Sequence, residues 1–177
     1  MRKLTMPELK RLTIDEFKAA EKLPVVVVLD NIRSQNNIGS VFRTADAFRL
    51  SAVYLCGITA TPPHREIHKT ALGATESVDW FYMPTTLDAV NVLRSAGYKI
   101  LAVEQAEGSI KLPDYQPTSD EKIAIIFGNE VNGIDDGVLQ HVQHCIEIPQ
   151  YGTKHSINVS VAVGIVIWDI LGKINLF

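Results

Sequence analysis

The feature that most constrains this chain is a set of short runs, rich in β-branched residues, that are apolar almost throughout, broken only by Lys99 and Glu147. Residues 25–29 read VVVVL between Pro24 and Asp30, and similar runs recur at residues 52–56, 98–103, 123–127 and 145–148. A strand with one face in water alternates apolar and polar residues, whereas a strand apolar throughout is covered on both faces. Segments of helical period separate the runs, at residues 38–48, 86–96 and, more weakly, 135–141. Strands alternating with helices predict an α/β fold with a mainly parallel sheet flanked by helices. Residues 77–82 read as a further strand. Residues 107–120, with their Gly, Ser, Pro, Asp and Thr, read as a loop. Thr5 with Glu8 and Thr13 with Glu16 have capping-box spacing, so the first twenty residues read as helical. Lys10, Arg11, Lys18 and Lys22 make that segment mildly basic.

The last long stretch, residues 145–168, reads CIEIPQYGTKHSINVSVAVGIVIW. Pro149 cannot donate to a ladder and ends the preceding strand. Gly152 and its polar neighbours make a turn. Ser156 stands where a helix N-cap belongs, and helical period then runs to about Leu171. One face carries Ile157, Val161, Ile165 and Trp168, and a second carries Val159, Val163, Val166 and Ile170. A helix apolar nearly all round is buried on both sides or spans a membrane. The uninterrupted apolar run at 161–168 is far short of the roughly 20 residues a span needs. This is therefore a core helix whose second face is expected to meet a partner chain. Ser156, Asn158 and Ser160 put polar groups at the start of that helix, where α/β proteins place ligands.

At 177 residues one domain is expected, with residues 1–22 as a short helical N-terminal extension. No apolar h-region follows Met1, Arg2 and Lys3, so no signal peptide is expected, and the expected location is the cytoplasm. Cys56 and Cys145 lie inside apolar runs without metal-ligand spacing, as buried thiols of a reducing compartment do. The net charge of −3 is unevenly spread. Residues 31–73 hold Arg33, Arg43, Arg49, Arg65 and Lys69 against Asp46 and Glu66, a net of +3. Residues 104–147 hold nine acidic side chains against Lys111 and Lys122, a net of −7. A basic segment in an acidic chain permits a local phosphate-binding surface that the total conceals. Scattered charges on a solvated face would give the same count.

Three clusters concentrate the polar chemistry. Residues 30–45, DNIRSQNNIGSVFRTA, follow a strand and open a helix, so free backbone N–H groups point towards Asn36, Asn37 and Gly39. Arg43, among Val41, Phe42 and Ala45, either snorkels outward or is held at a site. Residues 127–134, FGNEVNGI, follow another buried run. Their two glycines have the spacing of a phosphate loop, but Ile134 and Asp135 stand where Lys and Ser/Thr are required. No G-x-G-x-x-G follows any strand, which argues against a dinucleotide site. Gly128 at a strand end lets a flat ligand approach the backbone closely. The third cluster is residues 148–160. His155 beside Ser156 lacks a G-x-S-x-G elbow, so a hydrolase reading fails. His64 and His68, four apart, lack a third ligand, and no metal is expected.

Taken together, the clusters resemble the SpoU/TrmH-type RNA ribose 2′-O-methyltransferases of the SPOUT superfamily. The family's Asn-x-Gly followed by Arg-Thr is matched by Asn37, Gly39, Arg43 and Thr44. Its Gly-x-Glu-x-x-Gly is matched by Gly128, Glu130 and Gly133. Its Ile-Pro, Gly, Ser-[Leu/Ile]-Asn-Val-Ser-Val-Ala is matched by Ile148 through Ala162. One such motif is weak; three in order, from about Pro24 to the C-terminus, are specific.

The resemblance implies an α/β fold whose C-terminal part threads a deep trefoil knot, which sequence physics alone would not suggest. It implies S-adenosylmethionine held near Val103, Gly128, Ile148 and Ile157. It also implies a homodimer and a catalytic site of Asn37, Arg43, Glu130, Ser156 and Asn158. The family's proposal makes the motif-one arginine a base. An arginine stays protonated in proteins, so phosphate binding and charge stabilisation suit Arg43 better. The segment His68 to Ala74 and the short N-terminal extension resemble the tRNA-directed branch, which favours tRNA over rRNA. Two rival readings stand beside this one: a non-catalytic S-adenosylmethionine- or RNA-binding module of the same fold, and a small-molecule α/β enzyme using another nucleotide. The filled polar positions count against the first, the missing glycine motifs against the second.

Overall fold

A computed structural model describes residues 1–5, 7–118 and 120–174. In chain order the elements are α1 (Ile14–Ala19), β1 (Leu23–Asp30), α2 (Gln35–Ala47), β2 (Leu50–Cys56), α3 (Arg65–Ala71), α4 (Ala74–Ser77) and β3 (Trp80–Met83). There follow α5 (Thr86–Ser95), β4 (Lys99–Val103), β5 (Ile110–Lys111), β6 (Ile123–Phe127), α6 (Asp136–Leu139), β7 (His144–Glu147) and α7 (Val159–Lys173). The strands form one seven-stranded sheet in the order β3-β2-β1-β6-β4-β7-β5, with every paired neighbour parallel.

The runs are apolar almost throughout because both faces of the sheet are covered. On β1, Val25, Val27 and Leu29 enter one core with Ile123, Ile125 and Phe127 of β6 and Val163, Val166 and Ile170 of α7. Val26 and Val28 enter the other, with Ala124 and Ile126 of β6 and Ala89, Val90 and Leu93 of α5. The period-2 alternation of a strand thus distributes one unbroken run between two layers.

The expected elements differ from the observed ones mainly at their ends. The strand expected at 77–82 is β3, and Ser77 closes α4 instead. The loop expected at 107–120 contains β5 and a 3₁₀ turn at Leu112–Asp114, because Leu112 and Tyr115 are buried and pull the chain onto the sheet edge. Among the described residues of the first twenty, a 3₁₀ turn, Pro7–Leu9, and α1 are helical. The capping box of Thr13 and Glu16 forms as expected, while Met6 lies outside the described residues. Ser156 is not the N-cap of the last helix. That position is Asn158, whose Oδ1 accepts from Ser160 N at 2.9 Å, so the helix starts three residues after Ser156. Cys56 is buried, whereas Cys145 is only partly so.

α7 has the two faces read from the sequence, except that Ile157, expected on the first of them, precedes the helix. Val159, Val163, Val166 and Ile170 are buried, while Val161, Ile165 and Trp168 are 51%, 38% and 59% exposed. The Trp168 ring meets Phe48, at the end of α2, edge-on at 6.1 Å. Among the described residues no helix is long and apolar enough to cross a membrane.

Candidate active site

Three parallel strands end together. Val103 of β4 is in register with Phe127 of β6 on one side and Ile146 of β7 on the other, so their carboxyl ends share one rim. Above that rim lies a cavity of about 480 Å³. It is the crevice at which parallel α/β sheets hold ligands. The loops after all three strands line it.

The loop after β6, residues 128–135, is held in shape by its own backbone. Asn129 and Gly133 exchange N–H to O=C bonds of 3.2 and 3.0 Å, and Asn129 Oδ1 accepts from Val131 N and Asn132 N at 2.9 Å each. A Cβ on Gly128 would lie 2.2 Å from the Gly133 carbonyl carbon and 2.4 Å from Ile134 N. Gly128 is therefore required by the loop folding back on its own strand, and close ligand approach is not needed to explain it. Gly133, at φ +69°, takes the left-handed conformation that glycine favours. Two carboxylates clamp the loop. Glu104 Oε2 accepts from Ile134 N at 3.2 Å, and the buried Asp30, through Oδ2, accepts from Asp135 N at 3.3 Å. Asp30 Oδ1 is held in turn by Thr86 Oγ1 (2.5 Å) and Asn31 Nδ2 (2.8 Å).

The loop after β7 is tied to β4 by Gln105 Nε2, which donates to the His155 carbonyl at 2.8 Å. Val103, Gly128, Ile148 and Ile157 all line the cavity, as do Glu130, Ser156 and Asn158. The mixture of strand-end apolar side chains with a few fixed polar groups, at this volume, suits a cofactor-sized ligand with a flat apolar part and a charged end.

Asn37 enters from the first turn of α2, whose N-cap Ser34 accepts from Asn37 N at 3.3 Å. Its side chain bridges the other two clusters. Asn37 Nδ2 donates to Glu130 Oε1 at 2.9 Å, and Asn158 Nδ2 donates to Asn37 Oδ1 at 3.1 Å. Ser160 extends the chain, its Oγ donating to Asn158 Oδ1 at 2.6 Å. Residues separated by 93 and 121 positions thereby form one continuous hydrogen-bonded string at the cavity mouth.

Arg43 is not brought to that cavity. It lies on the exposed face of α2, beside Ser40, Thr44 and Lys69, and its guanidinium makes no hydrogen bond or ion pair with another described residue. The His64–His68 pair is not poised for a metal either, because His64 Nδ1 caps α3 by accepting from Glu66 N at 3.2 Å. Sequence reasoning missed Glu104 and Gln105, and gave no role to Asp30, which opens the first polar cluster. Each sits at or just past the carboxyl end of an apolar run, which is the signal that would have found them.

Residues 24–168 match the model of the SpoU rRNA Methylase family. An "uncharacterized tRNA/rRNA methyltransferase" of Borreliella burgdorferi is 30% identical over 165 residues, covering 92% of this chain and 70% of that protein. A tRNA (guanosine(18)-2′-O)-methyltransferase of the same organism is 31% identical, over 84% of this chain and 66% of its own length. An AdoMet-bound rRNA methyltransferase structure from Sinorhizobium meliloti superposes with a TM-score of 0.79 at 26% identity, over 88% of this chain and 59% of that one.

Proposed function

The chain belongs to the SpoU rRNA Methylase family, and from that premise we propose that it is an S-adenosylmethionine-dependent methyltransferase of RNA. The acceptor is a ribose 2′-hydroxyl, and tRNA is favoured over rRNA. The observation that carries this reading is the Glu130–Asn37–Asn158 string at the mouth of the strand-end cavity. A binding module that had lost catalysis would have no reason to keep three distant polar residues interlocked there. S-adenosylmethionine fits the cavity's volume and mixed lining, with Val103, Gly128, Ile148 and Ile157 as the residues that would hold it; it supplies a methyl group on a positively charged sulfur.

The protein's own part is to present the 2′-hydroxyl oxygen, which would take the methyl as its bond to sulfur breaks, and to accommodate the negative charge that develops on that oxygen as its proton passes to solvent. Glu130 and Asn158 fix both ends of the Asn37 amide, so that group is preorganised and costs little reorganisation in the transition state. Ser156, on the exposed loop before α7, supplies a further hydroxyl at the rim. We assign Arg43, with its planar fork of donors, to substrate phosphate and to the developing negative charge. In one chain it stands outside the cavity. The apolar outer face of α7 and the adjoining Phe48 support a homodimer, in which α2 and Arg43 would lie beside the interface. The position of β6 between β1 and β4, and of β7 between β4 and β5, supports a threaded, knotted C-terminal part.

Two measurements test the proposal. Calorimetric titration with S-adenosylhomocysteine in EDTA is expected to show metal-independent binding. Mass mapping of ribose methylation, in RNA from a deletion strain treated with the protein, is expected to reveal one restored 2′-O-methyl nucleotide. Restoration in rRNA but not tRNA would overturn the choice of substrate, and restoration in neither would overturn the activity.

A further inference from the structure

A second concave surface lies away from the strand ends, where the N-terminal segment runs past α2 and α4. Its volume is about 730 Å³, and Lys10, Arg11, Arg43 and Arg49 line it. Phe17 of α1 is buried in the main core and anchors the segment there. Two of the segment's other cations are already engaged. Arg2 is paired with Glu8 at 2.6 Å, and Lys22 donates to the last carbonyls of α1 while its Nζ lies 4.5 Å from the Phe17 ring centroid. The side chains of Lys10, Arg11, Arg43 and Arg49, by contrast, make no hydrogen bond or ion pair with any other described residue. One carboxylate, Asp46, shares the surface, and it accepts a hydrogen bond from Ser77. Four unpaired cations facing one occupied carboxylate, in a chain of net charge −3, form a site for a polyanion.

We propose that this groove is the track of the RNA phosphodiester backbone, and that the N-terminal segment thereby supplies the RNA-holding surface of the enzyme. The proposal rests on the reading of the chain as an RNA methyltransferase. α2 sets the geometry: at 1.5 Å per residue, Asn37 at its site end lies about 9 Å along the axis from Arg43, and Arg49 follows the helix's far end. A strand leaving the catalytic mouth along α2 would meet Arg43 and then the cations of the groove. Leu72, 66% exposed at the same surface, would suit a protein partner. The charge imbalance decides for RNA.

The test removes charge without touching the catalytic residues. Lys10 and Arg49 have positive φ (46° and 49°). Lys10→Asn and Arg49→Asn therefore suit that backbone, and Arg11→Gln completes a triple variant. Binding of bulk tRNA is measured across a potassium chloride series. Each phosphate that is no longer neutralised flattens the log K against log salt slope by about 0.7–0.9, so the triple variant should be flatter by about 2–3. S-adenosylhomocysteine binding and the single-turnover rate at saturating tRNA should be unchanged. An unchanged slope in a variant that still binds S-adenosylhomocysteine overturns the groove and leaves the enzyme standing. A change in oligomeric state without a change in slope overturns it in favour of a protein interface. A wild-type protein that binds S-adenosylhomocysteine but neither binds nor methylates RNA removes both the groove and the function on which it rests. Should the triple variant not fold, Arg11→Gln alone decides, with a flattening of about 0.7–0.9 expected and no flattening fatal.

Discussion

Arg43 is the residue on which sequence and structure pull furthest apart. By motif it belongs with Asn37; in space one chain leaves it on an exposed helix face, without a partner among the described residues. If its task is charge stabilisation, Arg43→Ala should lower kcat about 10²–10³-fold, roughly 3–4 kcal/mol, as loss of one preorganised donor does. Arg43→Lys keeps the charge but loses the planar fork, so recovery should be partial. S-adenosylhomocysteine affinity should not move, because Arg43 does not line the strand-end cavity. Equal single-turnover rates for wild type and Arg43→Ala would end the assignment. Cys56 gives a prediction of another kind. Burial, the largest cause, pushes its thiol from 9.0 up to about 12. The folded protein holds that proton more tightly than the unfolded chain, so the associated stability is intact below about pH 9 and fades as pH rises towards 12. Iodoacetamide at mildly alkaline pH should label the partly exposed Cys145 first, and Cys56 only on unfolding. Prompt native-state labelling of Cys56 would contradict this.

At the scale of elements, motif glycines prove to be packing devices. A Cβ on Gly39 of α2 would fall 2.1 Å from Thr70 Oγ1 and 2.4 Å from the Ile67 carbonyl oxygen. The first can swing away, but the second is α3 backbone and cannot. Gly39→Ala should therefore separate α2 from α3 and cost about 1–3 kcal/mol, the usual range for overpacking. Urea denaturation would measure it, and a cost below about 0.5 kcal/mol, as for a neutral surface change, would refute the close packing. The same movement would tilt Asn37 away from Glu130, so a loss of activity is expected at temperatures where the variant remains folded. The glycine pattern was legible in the sequence. Its cause was not, because α3 is about thirty positions away and no local rule brings its carbonyls to Gly39.

At the scale of the whole molecule, the outer face of α7 stays partly exposed among the described residues. Val161 and Ile165 are 51% and 38% exposed on a helix whose opposite face is in the core. A second copy packed there should bury on the order of 2,000 Å² or more, the range of obligate interfaces. Light scattering at micromolar concentration is expected to report a dimer, and Val161→Asp with Ile165→Asp a monomer that still binds S-adenosylhomocysteine. A monomeric wild type would refute the interface.

The sequence by itself determined the layers and the strand ends. Short β-branched runs bounded by turn residues read as strands covered on both faces, and in a parallel sheet the polar residues at their carboxyl ends gather along one rim. It also named Asn37, Glu130 and Asn158 through motif order. The tertiary structure decided the rest. Asn158, not Ser156, caps α7, because the choice depends on which side chain can turn back to a free N–H while also reaching Asn37 across 121 positions. Glu104 and Asp30 became loop clamps only once β6 lay between β1 and β4 and brought residues 134 and 135 between them. Lys22 and Lys10 are equivalent charges on paper. In the fold one closes a helix end and the other faces an open groove, because burial of Phe17 sets which way the N-terminal segment runs.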